Sequence, residues 1–326
     1  MTLNVHLIRE PEDEVLAYLI AHLHPELHLT FGSVPANPER VEVLIAGRPD
    51  RDLLEACQNL RALVVPFAGL PEETQQVLQD FPNLAIHNLH HNATPTAEMA
   101  AALLLAAAKF LIPMDRAMRS HDWRPRYHPN PSVLLEGKTA LILGYGAIGQ
   151  KVSRICQGLG MRVLAVRRSS PSEAISQDIE IQPVSALATI LPLANVLIIC
   201  LPLTQETKGL INARALELLP EGAILINVAR GPVVDEKALY DALREGRLYA
   251  AGLDVWYQYP EDEGDRSHSH PSKYPFHELD NVVMSPHRAG GSQETKLLRM
   301  HHLADLLNRL VEGKEMPNRV DLLRGY

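Results

Sequence analysis

Leu141-Ile142-Leu143-Gly144-Tyr145-Gly146-Ala147-Ile148-Gly149 is an apolar run that empties into three spaced glycines. The run reads as a buried strand. The glycines that follow have separate jobs: Gly144 permits a tight turn, Gly146 lets a pyrophosphate lie against bare backbone, and Gly149 lets the next helix pack close to the strand. That helix, through Val152 and Ile155, would aim free N–H groups and the positive end of its dipole at the phosphates. Alone, such a pattern is a weak signal. Here a strand (139–143) precedes it, a helix follows, and a second strand (162–166) comes next. That context predicts a dinucleotide site.

Working outward, further strands are expected at 196–200, 223–227, 249–253 and 282–284, giving six, the count of a full dinucleotide-binding sheet. Residues 1–90 alternate as well. Apolar runs at 3–8, 27–31, 41–46, 62–66 and 84–87 read as strands, with helices at 12–22, 51–56 and 72–80. Alternation of this kind implies a parallel sheet with helices on both faces. Between the two regions the pattern predicts one long helix, 96–120, bent at Pro113, then an extended arm around Trp123–Pro131. A last helix, 292–311, is long enough to return to the first region. The loop 257–278 has no apolar periodicity, and its length and place predict a lid or an active-site wall.

The chain has 326 residues, too many for one ordinary core, so two domains are expected. Its net charge of −8 gives no reason to expect nucleic acid or an acidic membrane surface. Cys57, Cys156 and Cys200 are odd in number and widely spaced, which suggests a reducing compartment without a disulfide framework. The first residues are acidic and lack the long apolar run of a signal peptide. The apolar segment 99–112 is too short to span a bilayer. A cytoplasmic protein is expected. The pairs His90-His91 and His268/His270 lack partners at zinc spacing, so no metal is expected.

Several motifs stand in a specific order: Pro95-Thr-Ala-Glu-Met99, Gly137 to Gly149, Leu201-Pro-Leu-Thr204 with Thr207, Ile226-Asn-Val-Ala-Arg-Gly231, Gly252-Leu-Asp-Val255 and Ser285-Pro-His-Arg-Ala-Gly-Gly291. In that order the chain resembles the D-2-hydroxyacid dehydrogenases, over nearly its whole length. The resemblance implies an α/β protein of two doubly wound parallel-sheet domains. A flavodoxin-like substrate domain would comprise 1–95 and 293–326, and a Rossmann dinucleotide-binding domain, 96–292, would be inserted in it. It implies reversible hydride transfer between a nicotinamide cofactor and a small 2-oxo or 2-hydroxy acid, usually in a homodimer.

The resemblance also assigns roles that chemistry can check. Arg230 follows a strand at its carboxyl end, and its planar guanidinium can bind a carboxylate bidentately and polarise a 2-oxo group. His287, one of 15 histidines, follows the last strand, and a histidine can deliver the proton that ketone reduction requires. The family's glutamate is missing. The matching position is Tyr259, followed by the expected Pro260. Tyrosine can orient the His287 ring but supplies no charge, so the His287 pKa should lie lower than in a Glu-supported dyad. The loop Pro66-Phe67-Ala68-Gly69-Leu70 matches the one whose backbone N–H groups hold the substrate carboxylate, with Ala68 and Gly69 central. Asn92 matches an active-site asparagine found in the formate dehydrogenase branch, which also lacks the glutamate.

For the cofactor, the resemblance adds Ala147, Ile148, Leu201, Pro202, Thr207, Val228, Ala229 and Gly290 to the three glycines. It gives Asp254 the nicotinamide carboxamide, with a local turn cap as the other reading. The second strand ends not in an acid that would bind a ribose 2′-hydroxyl but in Arg167, Arg168 and Ser169. Guanidiniums suit a 2′-phosphate. NADP is expected over NAD. Oxidation of a small anion such as formate or phosphite is one alternative, and a silent nucleotide sensor is another.

Overall fold

The computed structural model describes residues 2–168 and 179–322. The chain divides into two compact units, 1–92 with 291–326, and 93–290.

The first unit holds a five-stranded sheet of β1 (Leu3–Leu7), β2 (Leu27–Phe31), β3 (Val43–Ile45), β4 (Ala62–Val65) and β5 (Ala85–Asn88). Their order is β2-β1-β3-β4-β5, and every pairing is parallel. This is the flavodoxin-like order, whose direction reverses between β1 and β3. Val43, Leu44 and Ile45 are all buried, as a strand covered on both faces requires. On one face, Leu3, Val5 and Leu7 pack with Leu303, Leu306 and Leu307 of the helix Thr295–Val311. The other face holds Leu44, Leu63, Ile86 and, from beyond that helix, Val320. The chain past the helix docks on β5, where Val320 N–H donates to the Ile86 carbonyl at 2.8 Å. His6 is fully buried and bonds Thr30 Oγ1 and the Gly32 carbonyl, each at 2.8 Å, so it is a packing residue.

The second unit holds seven parallel strands: β6 (Thr139–Leu143), β7 (Arg162–Arg167), β8 (Glu180–Pro183), β9 (Val196–Ile199), β10 (Ala223–Asn227), β11 (Leu248–Leu253) and β12 (Val282–Met284). Their order is β12-β11-β10-β9-β6-β7-β8. Within the unit, that is the Rossmann order with an added strand, and its direction reverses between β6 and β9. The expected count of six missed β8. Its sequence, Glu-Ile-Gln-Pro, carries no apolar run, because an edge strand has little to bury and tolerates a terminal proline.

The single bent helix is also corrected. Two helices, Ala93–Ala108 and Leu111–Arg119, meet at an angle of 69°. The break is at Phe110, which takes a left-handed φ of 51°, not at Pro113. Pro113 falls in the first turn of the second helix, where an N–H is not needed. Among the described residues no single helix is long and apolar enough to cross a membrane. The 257–278 loop is pinned at its end by Phe276, which is buried against Trp256 and Tyr240, while residues 258–270 are exposed.

Candidate active site

β6 delivers its glycines to the point where the sheet reverses. Gly144 has φ +104°, and a Cβ there would come within 2.8 Å of the Leu201 nitrogen. A Cβ on Gly149 would lie 2.0 Å from the Gly144 carbonyl oxygen, so only glycine lets the helix Ala147–Gly158 start this close to the strand. At exposed Gly146 a Cβ would meet nothing within 4 Å. The space above that backbone is open. No side chain caps the helix, and the N–H groups of Ala147 and Ile148 make no hydrogen bond among the described residues. Bare backbone, free donors and a positive dipole end fit a pyrophosphate.

Nearby loops are fixed by their own hydrogen bonds. Thr207 Oγ1 donates to the Pro202 carbonyl at 2.7 Å and accepts the Thr204 N–H at 2.7 Å, which shapes the segment after Leu201. Arg167 ends β7 with its side chain exposed, and it makes neither an ion pair nor a hydrogen bond through that side chain among the described residues. Arg168 pairs with Glu206 at 3.0 Å. Ser169 lies outside the described residues. Burial holds the thiols of Cys156 and Cys200 protonated, Cys156 with a pKa pushed up to about 12, so both are packing groups.

β10 ends in Asn227, whose buried amide builds the next turn. Its Oδ1 accepts the Ala229 N–H at 3.0 Å, and its Nδ2 donates to the Arg230 carbonyl at 3.0 Å. Val228 and Ala229 stay buried while Arg230 emerges exposed. Arg230 Nη1 donates to the Ala229 carbonyl, and no carboxylate pairs with it among the described residues.

After β12 the chain turns through Ser285, Pro286 and His287. His287 adopts a left-handed φ of 56°, a conformation uncommon for residues other than glycine that needs support from its surroundings. Asp254, fully buried at the end of β11, supplies it. Its carboxylate accepts Ser285 Oγ at 2.6 Å and the N–H groups of Arg288 at 2.8 Å and Ala289 at 2.9 Å. The turn-cap reading of Asp254 therefore describes what its carboxylate does in this structure. A carboxylate has about four acceptor positions, so one on Oδ2 is left over. Trp256 adds a further tie, with Nε1 donating to the Ser285 carbonyl at 2.8 Å. Sequence reasoning gave neither Ser285 nor Trp256 a task; the signal was that Ser285 opens the motif of His287 and Trp256 directly follows the motif of Asp254.

Tyr259 comes to His287 with its ring and not with its hydroxyl. The ring centroids are 5.6 Å apart, and the Tyr259 oxygen accepts the Trp256 N–H at 3.1 Å. No hydrogen bond joins the two side chains among the described residues. The His287 pKa is lowered from 6.5, first by partial burial of the ring and then by the charge of Arg230; Asp254 opposes this more weakly.

In the first unit, the Pro66–Leu70 loop is tied back by its carbonyls. Phe67 O accepts the Leu89 N–H at 3.2 Å, and Ala68 O accepts the Asn88 amide at 2.8 Å. The N–H groups of Ala68 and Gly69 make no hydrogen bond among the described residues. Two adjacent free backbone donors suit a carboxylate. Asn92 is half-buried at the end of this unit.

Comparison with known proteins gives the family. The model of the D-isomer specific 2-hydroxyacid dehydrogenase NAD binding domain matches residues 101–289. A glyoxylate reductase of Aeropyrum pernix is 33% identical over 302 residues, covering 91% of this chain and 87% of that one. A glyoxylate reductase of Pyrococcus furiosus is 36% identical over 303 residues, covering 84% and 86%. A D-isomer specific 2-hydroxyacid dehydrogenase of Xanthobacter autotrophicus Py2, solved in complex with NADPH and MES, superposes with a TM-score of 0.81 at 26% identity, covering 100% of both chains. The chain belongs to the D-isomer specific 2-hydroxyacid dehydrogenase family, whose reaction is hydride transfer between a nicotinamide cofactor and a small 2-oxo or 2-hydroxy acid.

Proposed function

We propose that this enzyme reduces 2-oxo acids with NADPH, using Arg230 and His287 and no catalytic glutamate. The observation that carries the reading is Arg230. Its guanidinium stands at the end of β10 without a carboxylate partner among the described residues, and its charge acts on the His287 ring. Arg230 binds the substrate carboxylate and polarises the oxo group. His287 gives a proton to that oxygen. In the first unit, the free N–H groups of Ala68 and Gly69 are the donors assigned to a carboxylate, with Asn92 as a further polar group of the same unit. When bound, a reduced nicotinamide supplies the hydride.

Gly144, Gly146, Gly149, Ala147 and Ile148 hold the pyrophosphate, with Leu201, Pro202, Thr207, Val228, Ala229 and Gly290 along the rest of the cofactor. The remaining acceptor position of Asp254 takes the carboxamide. Arg167 takes the 2′-phosphate, aided by Arg168 and Ser169; the relative from Xanthobacter was solved with NADPH. NAD is the weaker cofactor. Tyr259 acts as a wall to His287.

The same reading makes the chain a cytoplasmic homodimer. Its three cysteines are free, and Leu111 and Met118 on the second helix and Trp123, Tyr127 and Leu134 after it are exposed apolar side chains. The direct test is the initial rate of NADPH and NADH oxidation with glyoxylate, hydroxypyruvate, pyruvate and longer 2-oxo acids. Faster turnover with NADPH supports the proposal. Tight NADPH binding with no oxidation by any 2-oxo acid overturns it.

A further inference from the structure

The first unit contains a cavity of about 440 Å³ at the carboxyl ends of its strands. It opens where the strand order reverses between β1 and β3, which is where open α/β sheets bind ligands. Leu7, Val15, Ile45, Met300 and Leu303 make an apolar floor. Pro66 and Phe67 form one wall, so the cavity is continuous with the loop that carries the free N–H groups of Ala68 and Gly69.

Charge around this floor is mostly positive. Arg9, Arg48, Lys296 and Arg299 line the cavity, against Glu10 and Glu12. Lys296 is paired with Glu12, and exposed Arg48 lies 3.7 Å from Glu73. Arg299 differs. It is half-buried, and among the described residues its guanidinium meets no carboxylate. Its one hydrogen bond among the described residues runs from Nε to His91 Nε2 at 3.3 Å. His91 is buried and held neutral, so it orients the guanidinium without cancelling its charge. A guanidinium has five donors, and four are left. A partly desolvated cation over an apolar floor attracts an anion far more strongly than one in water.

We infer that this cavity takes a second anionic group, a carboxylate or phosphate at the far end of the 2-oxo acid, with Arg299 as its main partner and Arg9 and Arg48 at the rim. The inference rests on the reading above that Ala68 and Gly69 receive the reacting carboxylate. It makes the preferred substrates dianions rather than glyoxylate.

The test compares kcat/KM for matched pairs that differ in the distal charge: oxaloacetate with 2-oxobutyrate, 2-oxoglutarate with 2-oxopentanoate, and phosphohydroxypyruvate with hydroxypyruvate. At least one dianion should exceed its counterpart by about tenfold or more, and Arg299→Gln should cut that ratio about tenfold, the effect of one charge-assisted hydrogen bond. Equal values within every pair, or a ratio unchanged in Arg299→Gln, would overturn the inference. Calorimetric binding of unreactive succinate and glutarate, against butyrate, needs no turnover. Dicarboxylate binding that weakens in Arg299→Gln, or in Arg9→Gln if the first variant fails to fold, supports the site even if no 2-oxo acid is reduced, an outcome that would count only against the proposed reaction. Dicarboxylates that bind no better than butyrate refute it even where glyoxylate is reduced.

Discussion

The carboxylate of Asp254 accepts the backbone N–H of Arg288 at 2.8 Å, immediately after His287. With its bonds to Ser285 and Ala289, this clamps both sides of the left-handed residue that would carry the proton. Asp254 is thus a positioning residue for His287, whatever else it touches.

Asp254→Asn keeps the shape but turns an acceptor into a donor opposite the Arg288 or Ala289 N–H. The variant should lose about 3 kcal/mol of stability in urea unfolding, since hydrogen bonds to a buried charge are lost and a donor is stranded. Its kcat should fall further than its NADPH affinity. A variant as stable as the parent, with an unchanged kcat, would separate the clamp from the chemistry.

For His287, the lowered pKa fixes the sign of the pH dependence. Reduction requires the protonated ring, so its rate falls as pH rises through a pKa that lies below 6.5 in the free enzyme. Imidazole NMR titration of the apoenzyme measures that value directly. Tyr259→Glu places a carboxylate beside the ring, favours the imidazolium, and should move the falling limb of the kcat/KM profile upward by about 1–2 pH units. No movement would mean that the new carboxylate points away from the ring.

At the end of β7, Arg167→Asp should weaken NADPH binding by about 10–100-fold while leaving NADH binding nearly unchanged or improved. Arg168→Asp should have the smaller effect, because Arg168 is already paired with Glu206. Fluorescence titration with both nucleotides measures the ratio, and equal losses for the two would count against a 2′-phosphate contact.

The first unit should be acid-sensitive through His91. Burial, then the charge of Arg299, lowers its pKa from 6.5 to about 4. The unfolded chain therefore takes up a proton near pH 6.5 that the folded chain refuses. The stability contributed by neutral His91 is complete above pH 6.5 and is lost as pH falls to about 4, reaching about 3 kcal/mol. Urea unfolding at pH 7.5, 5.5 and 4.5 should show the loss, and His91→Gln should flatten it. An equally steep loss in the variant would assign it to His87 or His90, whose pKa values are also lowered by burial.

Both sheets could be read from the sequence because buried parallel strands are continuous apolar runs, as Leu141–Leu143 and Val196–Ile199 show. β8 could not, since Glu180 and Gln182 lie on an exposed edge. The helix break was misplaced for a different reason. Proline is the usual breaker, but Phe110 changes direction through its backbone, which its side chain does not announce. At the candidate site, the motifs named Arg230 and His287, while the clamp by Asp254 and the ring-first approach of Tyr259 depend on atoms that no spacing encodes. Arg299 was invisible altogether, because one more arginine on an amphipathic helix looks like a solvated residue until its neighbours are known.

The interruption of the first unit by the second has a consequence for biosynthesis. The second unit is one continuous stretch, 93–290, and can fold as soon as it has been made. The first unit's core needs Leu303, Leu306 and Leu307 on one face and Val320 on the other, all made after that stretch is complete. Its strands β1 to β5 are made before the second unit and can close only after it, so they wait through the synthesis of residues 93–290. Pulse proteolysis of nascent chains should therefore find the nucleotide-binding unit protected while residues 1–92 are still cleaved.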